Sequence, residues 1–215
     1  MTTPRRRGPY AKTAAKRKLI LDAALAAYAE AGSRGVSVTD IAQRVGMTDA
    51  GVLHHFGSRE ALLTAVLEAR DAAYADTFGE GEALWRPDMV SHSTSTPGLS
   101  QLFLDLAAAA AEPGHPGHSF FTERYDALRA RFTEAFAAGR PKDGVPPTAR
   151  PDAAWAARMI IAASDGLQLQ WLLEPSIDMA DDLARLRDLM IGALGPTETD
   201  DSTAEATADT DTTHD

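Results

Sequence analysis

The sequence predicts an all-α protein, and three observations support this prediction. Alanine is abundant, whereas aromatic residues make up only 7% of the chain and β-branched residues are sparse, a balance that favours helices over strands. Apolar residues recur every three or four positions over long segments, which is the period of a buried helix face. Glycine and proline interrupt the chain between these segments. About nine helices and no strand are expected.

Composition limits the class of protein. The 215 residues, 44% apolar and 24% charged, are enough for one sizeable core or for a small domain joined to a larger one. The absence of cysteine excludes disulfides and thiolate chemistry. The sequence has neither a secretory signal pattern nor an apolar run of about 18 residues, so we expect a cytoplasmic protein without a membrane segment.

The net charge of −10 is unevenly distributed along the chain. Residues 1–60 carry a balance of +5, and residues 61–215 carry −15, with seven of the carboxylates beyond Pro196. This asymmetry indicates a basic end that contacts DNA on an acidic body. Chance combined with an acidic tail is the alternative explanation.

Residues 37–59 predict two short helices joined by a tight turn. Ser37 and Asp40 form a capping signal for the first helix, and Thr48 is the expected cap of the second. Gly46 supplies the left-handed residue between them. A helix, a glycine turn and a short helix are typical of a helix-turn-helix, whose second helix enters the major groove of DNA.

Two groups of residues are expected to contact DNA. Base edges should be faced by Thr48, Asp49, Ala50, Gly51, Leu53 and His54. Phosphates should be contacted by Ser37, Thr39, Arg44, His55 and Arg59. Among the base contacts, alanine and leucine can meet thymine methyl groups, and aspartate can accept a hydrogen bond from a cytosine amino group.

Four of these residues also have a structural explanation. Ser37 and Thr48 would cap helices without DNA, and His55 can pack against Phe56. Gly51 costs about 1 kcal/mol relative to alanine inside a helix, and either a close approach to DNA or tight packing would explain it.

The other apolar segments predict the remaining helices. They cover residues 16–31, 59–78, 99–111, 119–139, 152–173 and 179–194. The stripe of the helix at 59–78 contains Arg70 among its apolar residues. Residues 79–98 predict a broken helix or a loop, because glycine and proline become denser there.

Residues from about 16 to 63 resemble the DNA-binding domain of the TetR family of transcriptional regulators. The matching elements are Ile20-Leu21, Ala23-Ala24, Gly32, Asp40-Ile41-Ala42, Gly46, His55-Phe56, Ser58-Arg59-Glu60 and Leu62-Leu63. Leu53 departs from the pattern, since the family commonly has tyrosine there. The resemblance implies that Thr39, Thr48, His55 and Arg59 contact the DNA backbone.

The resemblance also implies a mechanism. A repressor of this family binds a palindromic operator as a dimer, and a small-molecule effector releases it by tilting the fourth helix. The expected organisation is a flexible basic arm (1–12), a helix-turn-helix domain (13–60), a helical effector-binding and dimerisation domain (61–195) and a disordered acidic tail (196–215). Whether the arm contacts DNA or only adds solubility stays open.

The last two helices are the expected homodimer interface, because the helix at 152–173 is apolar on more than one face. A symmetric dimer places two recognition helices one DNA turn apart, roughly 34–36 Å. One side of the interface is predicted to contain Ala156, Ile160, Ala163, Leu167 and Trp171. The other helix is predicted to contribute Leu183, Leu186, Leu189, Met190 and Leu194.

Bulky side chains in the body predict an apolar effector pocket. The candidates are Trp85, Met89, Phe103, Phe121, Tyr125, Gln168 and Trp171. Gln168, close to Ser164-Asp165-Gly166, is the most pocket-like, because polar residues within an apolar helix need partners. Taken singly, each candidate is otherwise explained as core.

An enzyme is the competing class. His54 and His55 point about 100° apart on a helix, so they cannot comfortably bind one metal together. His115 and His118 lie in a turn whose proline and glycine residues account for it without a bound metal. No zinc-protease helix motif, phosphate loop or nucleophile elbow is present. We therefore expect no catalysis, no metal and no cofactor, and an effector-independent DNA-binding regulator remains the alternative.

Overall fold

The computed structural model describes residues 9–31, 35–79, 87–138 and 152–194. Within these ranges the chain forms nine helices and no strand, which confirms the all-α prediction. The helices are α1 (Pro9–Ala31), α2 (Val38–Arg44), α3 (Asp49–Phe56), α4 (Arg59–Phe78), α5 (Pro87–Thr94), α6 (Pro97–Ala109), α7 (His118–Ala138), α8 (Ala153–Leu173) and α9 (Met179–Leu194). In the described part of the chain, every helix is too short or too polar to cross a membrane.

The first helix starts earlier than the sequence pattern predicts. It begins at Pro9 rather than at residue 16, so residues 9–12, which were assigned to the basic arm, are helical. Proline fits the first turn of a helix, and the alanines and lysines that follow are good helix formers. The remainder of the predicted arm and the predicted acidic tail lie outside the described residues.

Helical structure also occupies much of the segment predicted as a broken helix or loop. Both α5 and α6 begin with a proline, Pro87 and Pro97. Proline lacks an N–H, but the first helical position leaves that N–H unbonded in any case, so proline starts a helix there instead of breaking it.

One hydrophobic cluster joins the first four helices to the body. It includes Ile20 of α1, Ile41 of α2 and Val52 of α3, each with no exposed surface. α4 contributes six consecutive buried residues, 62–67. The same cluster continues into α6 and into Phe121 of α7. The helix-turn-helix therefore shares its core with the body.

A second cluster packs α7, α8 and α9 against one another. It contains Phe136, Ala156, Ala157, Ile160, Ile161, Met190 and Leu194. Several of these residues, and the buried Trp171, were predicted to face a second subunit. That assignment is wrong for Ala156, Ile160, Trp171, Met190 and Leu194, because their side chains are buried within the protomer. An apolar stripe identifies a packing face but does not say whether the same chain covers it.

The turn between α2 and α3 requires a left-handed residue. Gly46 has φ +63°, and its N–H donates to the Gln43 carbonyl at 3.3 Å, while the Met47 N–H donates to the Ala42 carbonyl at 2.9 Å. No described heavy atom lies within 4 Å of a Cβ built on Gly46. A side chain there would therefore meet backbone strain and no clash.

We expect Gly46→Ala to lower the free energy of unfolding by about 1 kcal/mol, the cost of placing an L-residue in the left-handed region. Denaturant unfolding followed by circular dichroism measures the difference. Gly35→Ala is the matched control, because Gly35 has open space and no positive φ. Equal stabilities of the two variants would contradict the assigned turn geometry.

Candidate nucleic-acid interface and internal cavity

The start of α2 is fixed by a reciprocal cap. The Asp40 N–H donates to Ser37 Oγ at 3.1 Å, and the Ser37 N–H donates to the Asp40 carboxylate at 2.9 Å. The Ser37 hydroxyl also donates to that carboxylate at 2.6 Å. These hydrogen bonds lower the pKa of the Asp40 carboxyl. The capping box predicted from the sequence is present.

The start of α3 is capped by Thr48, whose Oγ1 accepts from the Gly51 N–H at 3.1 Å. A Cβ on Gly51 would lie 3.2 Å from that oxygen and 3.3 Å from Met47 Cε, tighter than ordinary contact. Packing around the cap is therefore sufficient to explain glycine at position 51, without DNA.

α3 has one buried face and one exposed face. Val52 is fully buried, and Leu53 and Phe56 are partly buried against the same cluster. Thr48, Asp49, Ala50 and His54 are exposed around the N-terminal half of the helix, and His55 is partly exposed. The core side of α3 is thus fixed, and a polar surface is left for a partner.

Three predicted DNA contacts, Thr39, Asp49 and Arg44, are engaged with other side chains. Thr39 Oγ1 donates to the Asp49 carboxylate at 2.6 Å, which ties α2 to α3. The Arg44 guanidinium donates to both carboxylate oxygens of Glu30, at 3.1 and 2.7 Å. The pair lowers the pKa of Glu30 and raises that of Arg44. Both pairs are solvent-exposed, so they contribute little to stability and can exchange partners.

Arg17 of α1 is a residue that the sequence patterns did not identify. Its guanidinium lies over the Phe56 ring at 4.1 Å from the centroid and donates to the His55 carbonyl oxygen. A cation at a helix C-terminus is favourable, so Arg17 holds the end of α3 against α1. No local pattern predicts a contact between residues 38 positions apart.

The eleven predicted DNA-contacting residues all lie in one region. They belong to α2 and its cap, to α3 and its cap, or, for Arg59, to the first position of α4. Arg59 is exposed, and it follows the α4 cap, where Ser58 Oγ accepts from the Ala61 N–H at 3.0 Å. The structure therefore brings three capped helix N-termini into one continuous segment, residues 37–61.

The body contains a partly open cavity of about 120 Å³ between six helices. Its lining residues are Arg70, Tyr74, Val90, Ser93, Phe103, Arg124, Ser164, Asp165, Gln168, Met179 and Leu183. α4 to α9 each contribute at least one of them. The cavity is thus surrounded by the helices of the body and by the second half of α4.

The predicted pocket residues fall into three groups. Phe103 and Gln168 line the cavity, together with Ser164 and Asp165, the neighbours of Gln168 that looked most pocket-like. Phe121, Tyr125 and Trp171 do not line it: the Phe121 ring packs 5.4 Å from the Phe103 ring, and Trp171 is buried elsewhere. Trp85 and the side chain of Met89 lie outside the described structure.

Two arginines that were not predicted as site residues dominate the cavity wall. Arg70 donates to Asp71 Oδ1 from Nε at 3.0 Å and from Nη2 at 2.7 Å, and Arg124 Nε donates to Asp71 Oδ2 at 2.7 Å. Burial opposes ionisation of Asp71, but the two guanidiniums outweigh it, so the pKa of this carboxyl is lowered. The signal in the sequence was Arg70 itself, a charge within an apolar stripe.

A second polar pair lies beside this cluster. Tyr125 OH donates to Asp165 Oδ2 at 2.7 Å, which joins α7 to α8. Burial raises the pKa of both groups, and the neighbouring carboxylate raises that of the Tyr125 hydroxyl further. Tyr125 therefore orients a residue of the wall.

Within the described ranges, no three histidine, aspartate or glutamate side chains group together as metal ligands. The arrangement offers hydrogen-bond donors and acceptors around a small apolar space.

Comparison with known families identifies both parts of the chain. Residues 20–66 match the model for bacterial regulatory proteins of the tetR family. Residues 88–196 match the C-terminal domain of BetI-type transcriptional repressors, and this match alone covers just over half of the chain. No curated protein matches the chain in sequence.

Solved structures share the fold at low sequence identity. A transcriptional regulator from Rhodococcus sp. Rha1 has a TM-score of 0.57 at 19% identity, covering 83% of this chain and 95% of that one. FadR from Bacillus subtilis in complex with stearoyl-CoA gives 0.55 at 17%, covering 82% and 98%. NalD, the secondary repressor of the MexAB-OprM multidrug efflux pump in Pseudomonas aeruginosa, gives 0.52 at 17%, covering 85% and 96%.

We expect Asp71→Asn to lower the free energy of unfolding at neutral pH by about 2 kcal/mol, because it leaves two partly buried guanidiniums without their counter-ion. The lowered pKa of Asp71 means that its ionised form stabilises the fold above the ordinary carboxyl range. This stabilisation is lost as pH falls through the folded-state pKa, so the difference between wild type and variant should shrink below about pH 4.

Urea unfolding at a series of pH values tests this expectation. Asp76→Asn, an exposed position on the same helix, is the control and should change stability by less than about 0.5 kcal/mol. A difference between wild type and Asp71→Asn that is independent of pH would contradict the assigned role of the carboxylate.

Proposed function

The chain belongs to the TetR family of bacterial regulatory proteins, and we propose that it represses transcription by binding a palindromic operator as a homodimer that a small-molecule effector releases. As a DNA-binding transcriptional regulator it acts where the DNA is, in the cytoplasm.

One observation carries the DNA-binding part of the proposal. α3 is held by its core face and leaves Thr48, Asp49, Ala50 and His54 exposed, and the Thr39–Asp49 hydrogen bond joins the start of α3 to the start of α2. Helix N-termini have free N–H groups and positive dipole ends, which suit phosphate oxygens, while side chains at the start of a recognition helix reach base edges.

The proposed contacts keep the two groups expected from the sequence. Thr48, Asp49, Ala50, Gly51 and His54 are proposed to face bases, with a smaller part for Leu53 because it packs partly on the core. Ser37, Thr39, Arg44, His55 and Arg59 are proposed to contact phosphates. For Arg44 this requires exchanging Glu30 for a phosphate, which costs little for an exposed pair.

Exposed apolar residues of α8 and α9 support a homodimer. The side chains of Trp155, Leu169 and Leu173 are 40%, 51% and 80% exposed. They lie on one side of α8, because the second and third follow the first by 14 and 18 residues, which are whole numbers of helical turns to within about 40°. Leu189 of α9 is 72% exposed. Large apolar groups left in water on the last two helices suit an interface with a second copy.

Glycine at position 166 fits the same surface. Gly166 lies between these apolar residues on the exposed side of α8, and a Cβ built there would meet nothing within 4 Å. Packing inside the protomer therefore does not require glycine, although it costs about 1 kcal/mol in a helix relative to alanine. Close approach of a partner helix would account for it.

The cavity supports the effector-responsive alternative over an effector-independent regulator. It is bordered by Arg70 and Tyr74 of α4, the helix that begins directly after the recognition helix. A ligand in the cavity that prefers one position of α4 would shift the separation of the two recognition helices. FadR, which shares the fold, was crystallised with stearoyl-CoA.

Operator selection tests the proposed function. The full-length protein selects DNA from a random pool, and the selected sequences are examined for a palindrome with half-sites about one helical turn apart. Operator affinity is then titrated against candidate effectors. Selection of single half-sites bound by monomers would contradict the dimeric part, and failure to enrich any sequence would contradict the DNA-binding part.

Arg59→Gln should weaken operator binding about tenfold by removing a phosphate contact in each half-site. The slope of log K against log salt should become shallower by about one for each half-site. Fluorescence anisotropy at several salt concentrations measures both. Arg129→Gln, an exposed arginine on α7, is the control and should leave both unchanged. Unchanged affinity of Arg59→Gln would remove Arg59 from the interface.

Leu173→Glu should raise the dimer dissociation constant about a hundredfold or more, because it would bury two unpaired carboxylates in the proposed interface. Light scattering coupled to size exclusion measures the mass. Leu19→Glu is the control, since Leu19 is also a large exposed apolar residue, but on α1. A Leu173→Glu protein that remains dimeric would place the interface elsewhere.

A further inference from the structure

We propose that the effector is a small organic carboxylate, about the size of benzoate, whose carboxylate is bound by Arg70 and Arg124 and whose apolar part occupies the space beside Phe103. The inference rests on the proposed function in one respect: the cavity between α4 and α9 is taken to be the effector site.

Cavity volume sets the size of the ligand. A space of about 120 Å³ compares with the engineered cavities of roughly 150 Å³ that bind benzene. A compact molecule of about six to nine non-hydrogen atoms fills it.

The charge of the cavity wall indicates that the ligand carries a negative charge. Arg70 and Arg124 are in the lining, and Asp165 is the carboxyl group among the lining residues. Asp165 already accepts the Tyr125 hydroxyl, and burial raises its pKa, which favours its neutral form. Asp71 lies behind the two arginines, outside the lining, and balances one of them. The wall therefore retains an excess of positive charge.

Unused donors point to an acceptor in the cavity. Arg70 is more than nine-tenths buried, and Asp71 takes hydrogen bonds from its Nε and Nη2. Asp71 also takes the Nε hydrogen bond of Arg124. Within the described residues, Nη1 of Arg70 and both Nη atoms of Arg124 have no assigned acceptor. A buried donor such as Nη1 of Arg70 normally has an acceptor, whereas the Arg124 side chain is 24% exposed and reaches solvent. A carboxylate matches the geometry of both guanidiniums.

An apolar surface lies directly beside these donors. The guanidinium carbons of Arg70 and Arg124 lie 5.2 and 4.9 Å from the centroid of the Phe103 ring. Val90, Met179 and Leu183 complete the apolar lining. A ligand with an anionic end next to a compact apolar part satisfies both surfaces, whereas an inorganic anion leaves the apolar part empty.

The binding residues connect the cavity to the helix that carries the signal. Arg70 and Asp71 belong to α4, and Arg124 belongs to α7. A carboxylate bound by the unused Nη donors adds a second negative charge close to Asp71, and so changes the electrostatic balance of the ion pair that joins α4 to α7. The ligand then favours states in which α4 has moved, which is the differential binding that release requires.

Matched probes test the inference on the full-length protein. Isothermal titration is carried out with benzoate, with neutral benzamide of the same shape, with cationic benzylamine and with inorganic phosphate. We expect benzoate to bind. Benzamide should bind about tenfold to a hundredfold more weakly, because it cannot make charge-assisted hydrogen bonds to the arginines. Benzylamine and phosphate should bind more weakly still.

Variants locate the binding. Arg124→Gln should weaken benzoate binding at least about tenfold. Arg129→Gln, the same substitution on the same helix but in an exposed ion pair, should leave it unchanged. Should Arg124→Gln fail to fold, judged by its helical circular dichroism, the comparison of benzoate with benzamide and benzylamine in the wild type decides the question.

Several results would overturn the inference. They are equal binding of benzamide or benzylamine, tighter binding of phosphate, unchanged affinity in a folded Arg124→Gln protein, or no benzoate binding up to about 10 mM, which corresponds to less than about 3 kcal/mol. Failure of the proposed function is seen separately. Benzoate that binds through Arg124 without changing operator affinity leaves the site intact and contradicts the effector role.

Discussion

Burial of α4 is the constraint on which the rest of the structure depends. Its residues 62–67 are all buried, because the helix is covered on one side by α1 and α3 and on the other by α6. The hydroxyl of the buried Thr64 finds its hydrogen-bond partner within α4, because it donates to the Glu60 carbonyl oxygen at 2.9 Å. Gly117 has no side chain, so the turn before α7 can lie close to this hydroxyl. Because this half of α4 is packed against α1, α3 and α6, a shift of it has to be accommodated by those helices.

The charged end of α4 differs from its apolar start. Beyond residue 67 the helix leaves the shared core and presents Arg70 and Asp71 to α7. Ion pairs in partly buried surroundings depend on exact partners, unlike apolar contacts, which tolerate small shifts. The second half of α4 is therefore the place where an added charge can change the packing, and the first half is joined to α3 by shared core contacts.

The basic charge and the exposed apolar surface lie in different parts of the chain. The basic excess lies within residues 1–60, which contain the helix-turn-helix, and the acidic excess lies in the remainder. The large exposed apolar residues of α8 and α9 lie far along the chain from that basic region. The surfaces proposed for DNA binding and for self-association are therefore separate, and a shared core lies between them.

The sequence by itself determined the helical class, the bounds of α4 and the caps at Ser37 and Thr48, because capping and periodicity act over a few neighbouring residues. Only the tertiary structure decided which face of α8 the protomer covers and that Arg124, 53 positions away, would share the Asp71 carboxylate with Arg70. The physical reason is that a periodic pattern defines the faces of a helix, whereas the packing of distant segments decides what each face contacts.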